Sequence, residues 1–347
     1  MIDGIYTFAN DVVFDQLVAL LNSIEVNAGR KIPVCIIPFN DRIDRIKAEI
    51  ETRENVTLFD QPELIAFWED FGTQAWLSHP TAQRVWKEQG RPAMRRAEFH
   101  RKFCCFDGMF DRFLYIDADT LLMSPIDQVF EKLDRYDWVV NDFQYLSAIN
   151  LIFNTDSKEL LEQFSPEELK ANIFCSGFFA SKKSVFSQEK AAQFLERLKA
   201  GEADFMSVRG SDQPMLNYTV LGNKLSFFNF AYHDPENATG SHWSSEFSDR
   251  DFVLYDRDKR LMYLHYMSIS SSVFTKLCRG ESVSLAYRDL FLHYRYLKSP
   301  QNRPQEFKSL GAITQAQSAI AKFRKQKINN LNHRFRKLKH QLNKLRG

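Results

Sequence analysis

The sequence predicts an α/β protein in which a mostly parallel, Rossmann-like sheet carries helices on both faces. Three observations predict it. Strand-like apolar runs alternate with helix-patterned segments through the first hundred residues. One of those runs ends in a pair of carboxylates, and in open α/β sheets ligands bind beyond the carboxyl ends of the strands. With 347 residues, the chain has ample material for the core of one large domain.

Ile2 to Phe8 reads as the first strand. Val12 to Val26 then places Val13, Leu17, Leu20, Leu21 and Ile24 at helical spacing, and Ile32 to Pro38 is a second apolar run. Asp41 to Arg53 repeats Ile at 43, 46 and 50 as one helical face, and Val56 to Phe59 is a short third strand. Residues 60 to 95, rich in Trp and Pro, have no clean period and read as an excursion over the top edge of the sheet, contributing to an acceptor site. Phe99, Phe103 and Phe106 mark a buried helix face that leads into the strand ending at Asp117. Further strands are expected at Trp138 to Asn141, Phe174 to Ala180, Leu225 to Phe230 and Leu261 to Tyr266, with helices over Lys183 to Lys199 and Asp212 to Val220. Nothing repeats at a solenoid or propeller period.

Beyond residue 300 the globular pattern stops, so the expected organisation is a domain over residues 1 to 300 and a linker with a helical tail over 301 to 347. Ile328, Leu331, Phe335, Leu338, Leu342 and Leu345 form a heptad seam on a basic amphipathic helix. Residues 322 to 347 hold ten Lys or Arg and no Asp or Glu, so any basic partner-binding belongs to this tail. Such a helix can associate with another helix, contact an anionic membrane surface peripherally, or fold back on its own domain. It lacks the interleaved residues that would read a specific nucleic acid.

Cys35, Cys104, Cys105, Cys175 and Cys278 sit in or beside apolar runs without paired ligand spacing, and read as reduced core thiols. Met1-Ile-Asp-Gly-Ile has no basic segment ahead of an apolar one, and no apolar stretch reaches membrane-spanning length. The expectation is a cytoplasmic protein, membrane-associated through its tail if at all.

Tyr115-Ile-Asp117-Ala118-Asp119-Thr-Leu places two carboxylates two residues apart where an apolar strand runs out. Carboxylate oxygens suit Mg²⁺ or Mn²⁺, and Mg²⁺ is commonly shared between one or two carboxylates and substrate phosphates. An isolated Asp-x-Asp is more often a solvated turn, so its neighbours in the chain decide. Taken alone, each of those neighbours also has a plain reading. Asn10-Asp11 after the first strand would cap a helix, as would Asp212-Gln213; Lys102 would be solvated, Gly177 would sit in a strand bulge, and His265 would be a satisfied core residue.

Their order carries more weight. Thr7-Phe8-Ala9-Asn10-Asp11, Arg101-Lys102-Phe103, the Asp117-Ala-Asp119 run with Ser124-Pro-Ile-Asp127-Gln-Val-Phe130, Phe174-Cys-Ser176-Gly177-Phe-Phe179, Gly210-Ser-Asp212-Gln213-Pro-Met-Leu216-Asn217 and Tyr263-Leu-His265-Tyr266 follow one another along residues 1 to 270. Together they resemble the retaining glycosyltransferases of family eight, the glycogenin and bacterial lipopolysaccharide galactosyltransferase family, which have a GT-A fold.

The resemblance implies a hexosyltransferase that takes a hexose from a nucleotide diphosphosugar, UDP-glucose or UDP-galactose, to a glycan or lipid hydroxyl with retention. It implies that Asp117, Asp119 and His265 hold Mn²⁺ (or Mg²⁺), the imidazole shifting the preference towards Mn²⁺. Phe8, Ala9, Asn10 and Asp11 would hold the uracil and ribose, Lys102 the donor phosphates, and Ala118, Ser176 and Gly177 the donor's sugar side. Asp212 and Gln213 would bond the sugar hydroxyls and face the reacting carbon. The family's base-stacking Tyr is absent, with Val13 or Phe14 in its place; Ser268 replaces a Gly, and no Lys-Pro-Trp follows. Lys276 is the candidate substitute for the missing phosphate-binding Lys. Asp142, just past the Trp138 strand, either lines the same rim or, the favoured reading, is an exposed end-of-strand residue. Acceptor choice is expected in residues 60 to 95 and 231 to 250, where Trp68, Trp76 and Trp243 either stack on sugars or fill core.

Two other readings compete. A catalytically degenerate GT-A domain acting as a binding or scaffold module fits the missing Tyr and Lys-Pro-Trp, but not the retention of Asp117, Asp119, Asp212, Gln213 and His265 together. A sugar-phosphate nucleotidyltransferase would bring a Gly-rich, basic loop after the first strand, and Phe8 to Asp15 contains no Gly, Lys or Arg.

Overall fold

The structure is a computed structural model that describes residues 1–94 and 97–308. The expected amphipathic helix from Ile328 to Leu345 lies outside the described residues, as does most of the 301 to 347 tail. The described residues divide into two compact units, one formed by Met1–Ser271 with Ala286–Asn302, the other by Ser272–Leu285 with residues 303–308.

The larger unit opens with β1 (Asp3–Ala9), α1 (Phe14–Asn27), β2 (Val34–Pro38), α2 (Asp44–Ile50) and β3 (Val56–Leu58), the alternation that the sequence predicts. Then come α3 (Pro62–Leu77), α4 (Pro80–Glu88), β4 (Arg112–Ile116), β5 (Thr120–Leu122), α5 (Asp127–Lys132) and β6 (Trp138–Val140). After two short helices, α6 (Lys158–Gln163) and α7 (Pro166–Ala171), follow β7 (Phe178–Lys182), α8 (Gln188–Lys199), α9 (Asp212–Gly222) and β8 (Phe227–Asn229). The main sheet runs β3-β2-β1-β4-β7-β6-β8. Only β7 runs against its neighbours, so β1, β4 and β6 all point their carboxyl ends to one rim.

Successive strand residues face opposite sides. Tyr6, Phe8, Phe113 and Tyr115 enter a core shared with α3, α8 and α9, whereas Ile5, Ile36, Leu114 and Ile116 enter a core covered by α1, α2 and α5. Helices thus cover both faces. Past α10 (Phe230–His233), β9 (Ser248–Arg250), β10 (Val253–Asp256) and β11 (Lys259–Arg260) make an antiparallel sheet of their own. The last strand, β12 (Tyr263–His265), pairs antiparallel with β5 and sets His265 opposite Thr120.

Residues 60 to 95 differ from the sequence expectation. They contain two helices, and Trp68 and Trp76 are 0% exposed, so neither can present a face to an acceptor. Each buried indole still donates its N–H: Trp68 to Asp107 Oδ2 at 2.9 Å, and Trp76 to His100 Nε2 at 3.1 Å. The buried positions of α3, Trp68, Phe71, Gly72, Ala75 and Trp76, follow one helical face, but Gly72 and Ala75 carry little apolar weight on it, which weakens its period in the sequence. Pro62 and Pro80 each open a helix, where the missing N–H is not needed.

The smaller unit contains nearly all of α11 (Ser271–Cys278) and a parallel bridge between Glu281 and Lys308. In the larger unit, α12 (Arg288–Arg295) docks on α1. There Asn22 Nδ2 donates to Tyr294 O at 2.7 Å, and Arg295 Nε donates to Asp15 Oδ1 at 2.9 Å. Cys35, Cys104, Cys105 and Cys175 are free and buried, and Cys278 is half-buried. No helix among the described residues is long and apolar enough to cross a membrane.

Candidate active site

A cleft of about 1570 Å³ opens at the carboxyl ends of β1 and β4. At β1, Phe8, Ala9 and Asn10 line it. Asn10 Oδ1 accepts from Val12 N at 3.0 Å, while its Nδ2 donates to Asn40 Oδ1 at 3.2 Å, so the side chain caps the next turn and still borders the cleft. Asp11 is placed differently: its carboxylate accepts from Arg45 N and Ile46 N, both at 3.2 Å, which caps α2. Of the two candidates for the missing Tyr, Val13 lines the cleft and Phe14 is buried beneath the guanidinium of Arg45. Sequence reasoning named Phe8 but missed the aromatic wall it forms with Phe39 and Phe99, with Phe39 5.0 Å from Phe8 and 5.5 Å from Phe99 between ring centres.

The carboxylates follow from the strand ends. Asp117 N donates to Gly177 O at 2.9 Å, and Tyr266 N donates to Asp119 O at 2.9 Å, so both backbones are pinned. The β5–β12 pairing then delivers His265, whose Nε2 lies 3.1 Å from Asp119 Oδ1. One ligand atom each from Asp117, Asp119 and His265 falls within 4.8 Å of the others. Burial works against the imidazolium of His265, but the Asp119 carboxylate more than offsets it and holds the ring's pKa well above its ordinary value. Asp119 is likewise pushed up by burial and pulled below its usual value by His265 and Lys102.

Two oxygens and one imidazole suit Mn²⁺ or Mg²⁺, and the local backbone leaves room for such an ion. A Cβ at Gly177 would stand 2.5 Å from His265 Cε1 and 2.8 Å from Asp117 Oδ2. The Gly177→Ala change therefore crowds the ligands without straining the backbone. The expected result is a loss of Mn²⁺ affinity of at least about tenfold, with an unchanged far-ultraviolet circular dichroism spectrum. Wild-type Mn²⁺ affinity in that variant, read by electron paramagnetic resonance, would contradict this role for Gly177.

Lys102 lies on a 3-10 segment (Ala97–Phe106) and lines the cleft at 3% exposure. Its ammonium sits 2.7 Å from Asp212 Oδ2, 3.0 Å from Asp117 Oδ1 and 3.3 Å from Ser176 O. The contact to Ser176 O is a hydrogen bond, and the two carboxylate contacts are ion pairs. Burial disfavours its charge, yet the two carboxylates raise its pKa above the ordinary lysine value. In return, Lys102 holds Asp212 below the usual carboxylate range despite burial.

Asp212 and Gln213 open α9 at the cleft wall. Gln213 Nε2 donates to Phe174 O at 3.0 Å and to Gln144 Oε1 at 2.5 Å, which leaves its amide oxygen with no partner among the described residues. Asn217 Oδ1 accepts from Phe174 N, and its Nδ2 donates to Phe174 O, both at 2.9 Å. These bonds explain why the expected strand from Phe174 begins only at Phe178. Residues 174 to 177 leave the ladder to serve the site, with Ser176 among the lining residues.

Asp142 corrects another expectation. It is 7% exposed and lines the cleft, with Oδ2 accepting from Cys175 N at 2.5 Å. Burial raises its pKa to about 6 against the bonds it accepts from backbone N–H groups. Its place on the rim was legible: β6 runs parallel to β4, so Asn141 and Asp142, the two residues after it, reach the same rim as Asp117. Trp243 donates Nε1–H to Met267 O at 2.9 Å and stacks on His242, a cleft residue. Lys276 is exposed and belongs to the smaller unit, so the larger unit builds this site without it.

No protein-family model matches the chain, and no curated protein matches its sequence. Solved structures do resemble it. The apo structure of the bifunctional glycosyltransferase WbbM matches 88% of this chain with a TM-score of 0.52 at 13% identity. Because that match covers 52% of WbbM, the chain spans about half of that protein's length. Apo mouse xyloside xylosyltransferase 1 matches 78% of this chain and 99% of its own, with a TM-score of 0.48 and 10% identity. Galactosyltransferase LgtC, solved with donor and acceptor sugar analogs, matches 83% of this chain and 100% of its own at 0.47 and 13%. At such identities the likeness is one of fold, and the fold is that of GT-A glycosyltransferases.

Proposed function

We propose that the chain is a glycosyltransferase that moves a hexose from a nucleotide diphosphosugar to a hydroxyl of a glycan or lipid acceptor, with retention at the anomeric carbon. The observation that carries this reading is the meeting of Asp117, Asp119 and His265 with Asp212 and Gln213 in one cleft, whose far end is formed by the β1 turn at Asn10. A fold shared with glycosyltransferases supports it.

The residues divide the work by position. Phe8, Ala9 and Asn10 form the floor for the nucleoside, with Phe39 and Phe99 as the adjoining apolar wall. Asp117, Asp119 and His265 would hold Mn²⁺ or Mg²⁺, which acts when bound as a Lewis acid on the leaving diphosphate. Lys102 pairs with Asp117 and Asp212, fixing both and keeping Asp212 ionised, rather than meeting the phosphates itself. Gln213 turns an unused amide oxygen to the donor sugar because its nitrogen is already committed. The acceptor hydroxyl's proton passes to the leaving diphosphate oxygen, a front-face displacement.

A thermal-shift panel of UDP-, GDP- and CDP-hexoses with Mn²⁺ tests the donor class. UDP-glucose or UDP-galactose is expected to raise the melting temperature, and more with Mn²⁺ than with EDTA. No stabilisation by any nucleotide sugar would contradict the proposal.

A further inference from the structure

The cleft contains a second group of ligand atoms that the carboxylate pair does not use. Cys175 and Met267 both line it, and Cys175 Sγ lies 3.9 Å from Met267 Sδ. The thiol is also within hydrogen-bonding reach of the His265 ring. Gln144 Nε2 contacts Met267 Sδ from another side at 3.9 Å, which fixes the thioether in place.

Donor softness separates this group from its neighbour. Thiolate and thioether sulfur select Cu⁺, and imidazole accepts it, whereas carboxylates select Mn²⁺ or Mg²⁺. The spacing fits one ion. Two sulfurs bound tetrahedrally at about 2.3 Å stand about 3.8 Å apart. The pair is therefore close to bridging distance as folded.

We propose that Cys175, Met267 and His265 form a site for a soft monovalent cation, Cu⁺, beside the carboxylate pair. His265 belongs to both ligand sets. A ring drawn to the sulfurs is withdrawn from Asp119, so Cu⁺ and Mn²⁺ compete, and copper shuts the hard site without touching substrate. No electron is transferred: Cu⁺ enters as Cu⁺ and replaces the thiol proton, which leaves to solvent.

The test is an anaerobic titration of the full chain with Cu⁺ held by the coloured chelator bicinchoninate, with Mn²⁺ followed by electron paramagnetic resonance. One equivalent of Cu⁺ per chain is expected to leave the chelator, with release of bound Mn²⁺. Cys175→Ser should abolish that equivalent, Met267→Leu should weaken it by about tenfold or more, and Cys278→Ser should leave it unchanged. Met267→Leu conserves volume and so tests the site even if Cys175→Ser folds poorly. Failure of the wild type to take Cu⁺, or wild-type affinity in Met267→Leu, overturns the site. Mn²⁺ that stays bound beside Cu⁺ overturns the competition.

Discussion

Replacing Lys102 with methionine is expected to destabilise the protein by about 3 to 5 kcal/mol and to remove activity, because it strips the counter-charge from two carboxylates at once. Asp212 and Asp117 stand 2.7 and 3.0 Å from the ammonium, and the Asp212 side chain is 7% exposed. The loss should depend on pH with a definite sign. In the wild type, Lys102 depresses the Asp212 pKa, so their pairing stabilises the fold above the unfolded carboxyl value of 3.8 and is lost as pH falls through the lower folded value. In the variant, burial loses its main opponent and only Ser176 and His100 still favour the carboxylate, so the Asp212 pKa rises relative to wild type and the deficit should grow as pH rises from about 4 to 7. Urea denaturation at the two ends of that range measures it. Equal deficits at both ends would mean that packing, not charge, is what Lys102 supplies.

The second large effect is expected at Asp119. Asp119→Ala should lower Mn²⁺-dependent hydrolysis of UDP-hexose by about 10³-fold, the several kcal/mol that a Lewis acid contributes to a leaving diphosphate. EDTA should bring the wild type to the same floor and leave the variant unchanged. Melting temperature should move little, since His265 can shed its proton once its partner is gone and remain buried as a neutral ring. Turnover unchanged by the substitution would remove the carboxylate site from the reaction.

The parts of this site that were legible in the sequence are those fixed by strand ends. Asp117 follows an uninterrupted apolar strand, and His265 sits inside another, so their placement needs only the sheet topology and the β5–β12 pairing. Asp212 and Gln213 were legible as a helix start, although their partners were not. Lys102 read as a phosphate cation because sequence gives its charge but not the buried carboxylates around it. The two Trp-rich helices were missed although each buries one face, Trp68, Phe71, Gly72, Ala75 and Trp76 in α3 and Ala82 and Trp86 in α4. The small residues Gly72, Ala75 and Ala82 on those faces weaken the apolar period on which the reading depends. Phe174 to Gly177 looked like strand because its residues suit one, while Asn217 and Asp142 take the backbone N–H groups that a ladder would have used. The rim position of Asp142 was legible from the direction of β6, but its burial was not, because nothing local announces that Cys175 N–H points at it. Contacts between residues far apart in sequence decide the cases of Lys102, Phe174 to Gly177 and Asp142.

The central claim is that a nucleoside diphosphate and a divalent cation occupy the cleft together. Linkage makes this directly measurable, since each ligand must tighten the other's binding by the same factor. Calorimetric titration of UDP with Mn²⁺ present and absent, and of Mn²⁺ with UDP present and absent, is expected to give equal factors in the wild type and none in Asp119→Ala. Identical UDP affinity in Mn²⁺ and in EDTA would contradict the account.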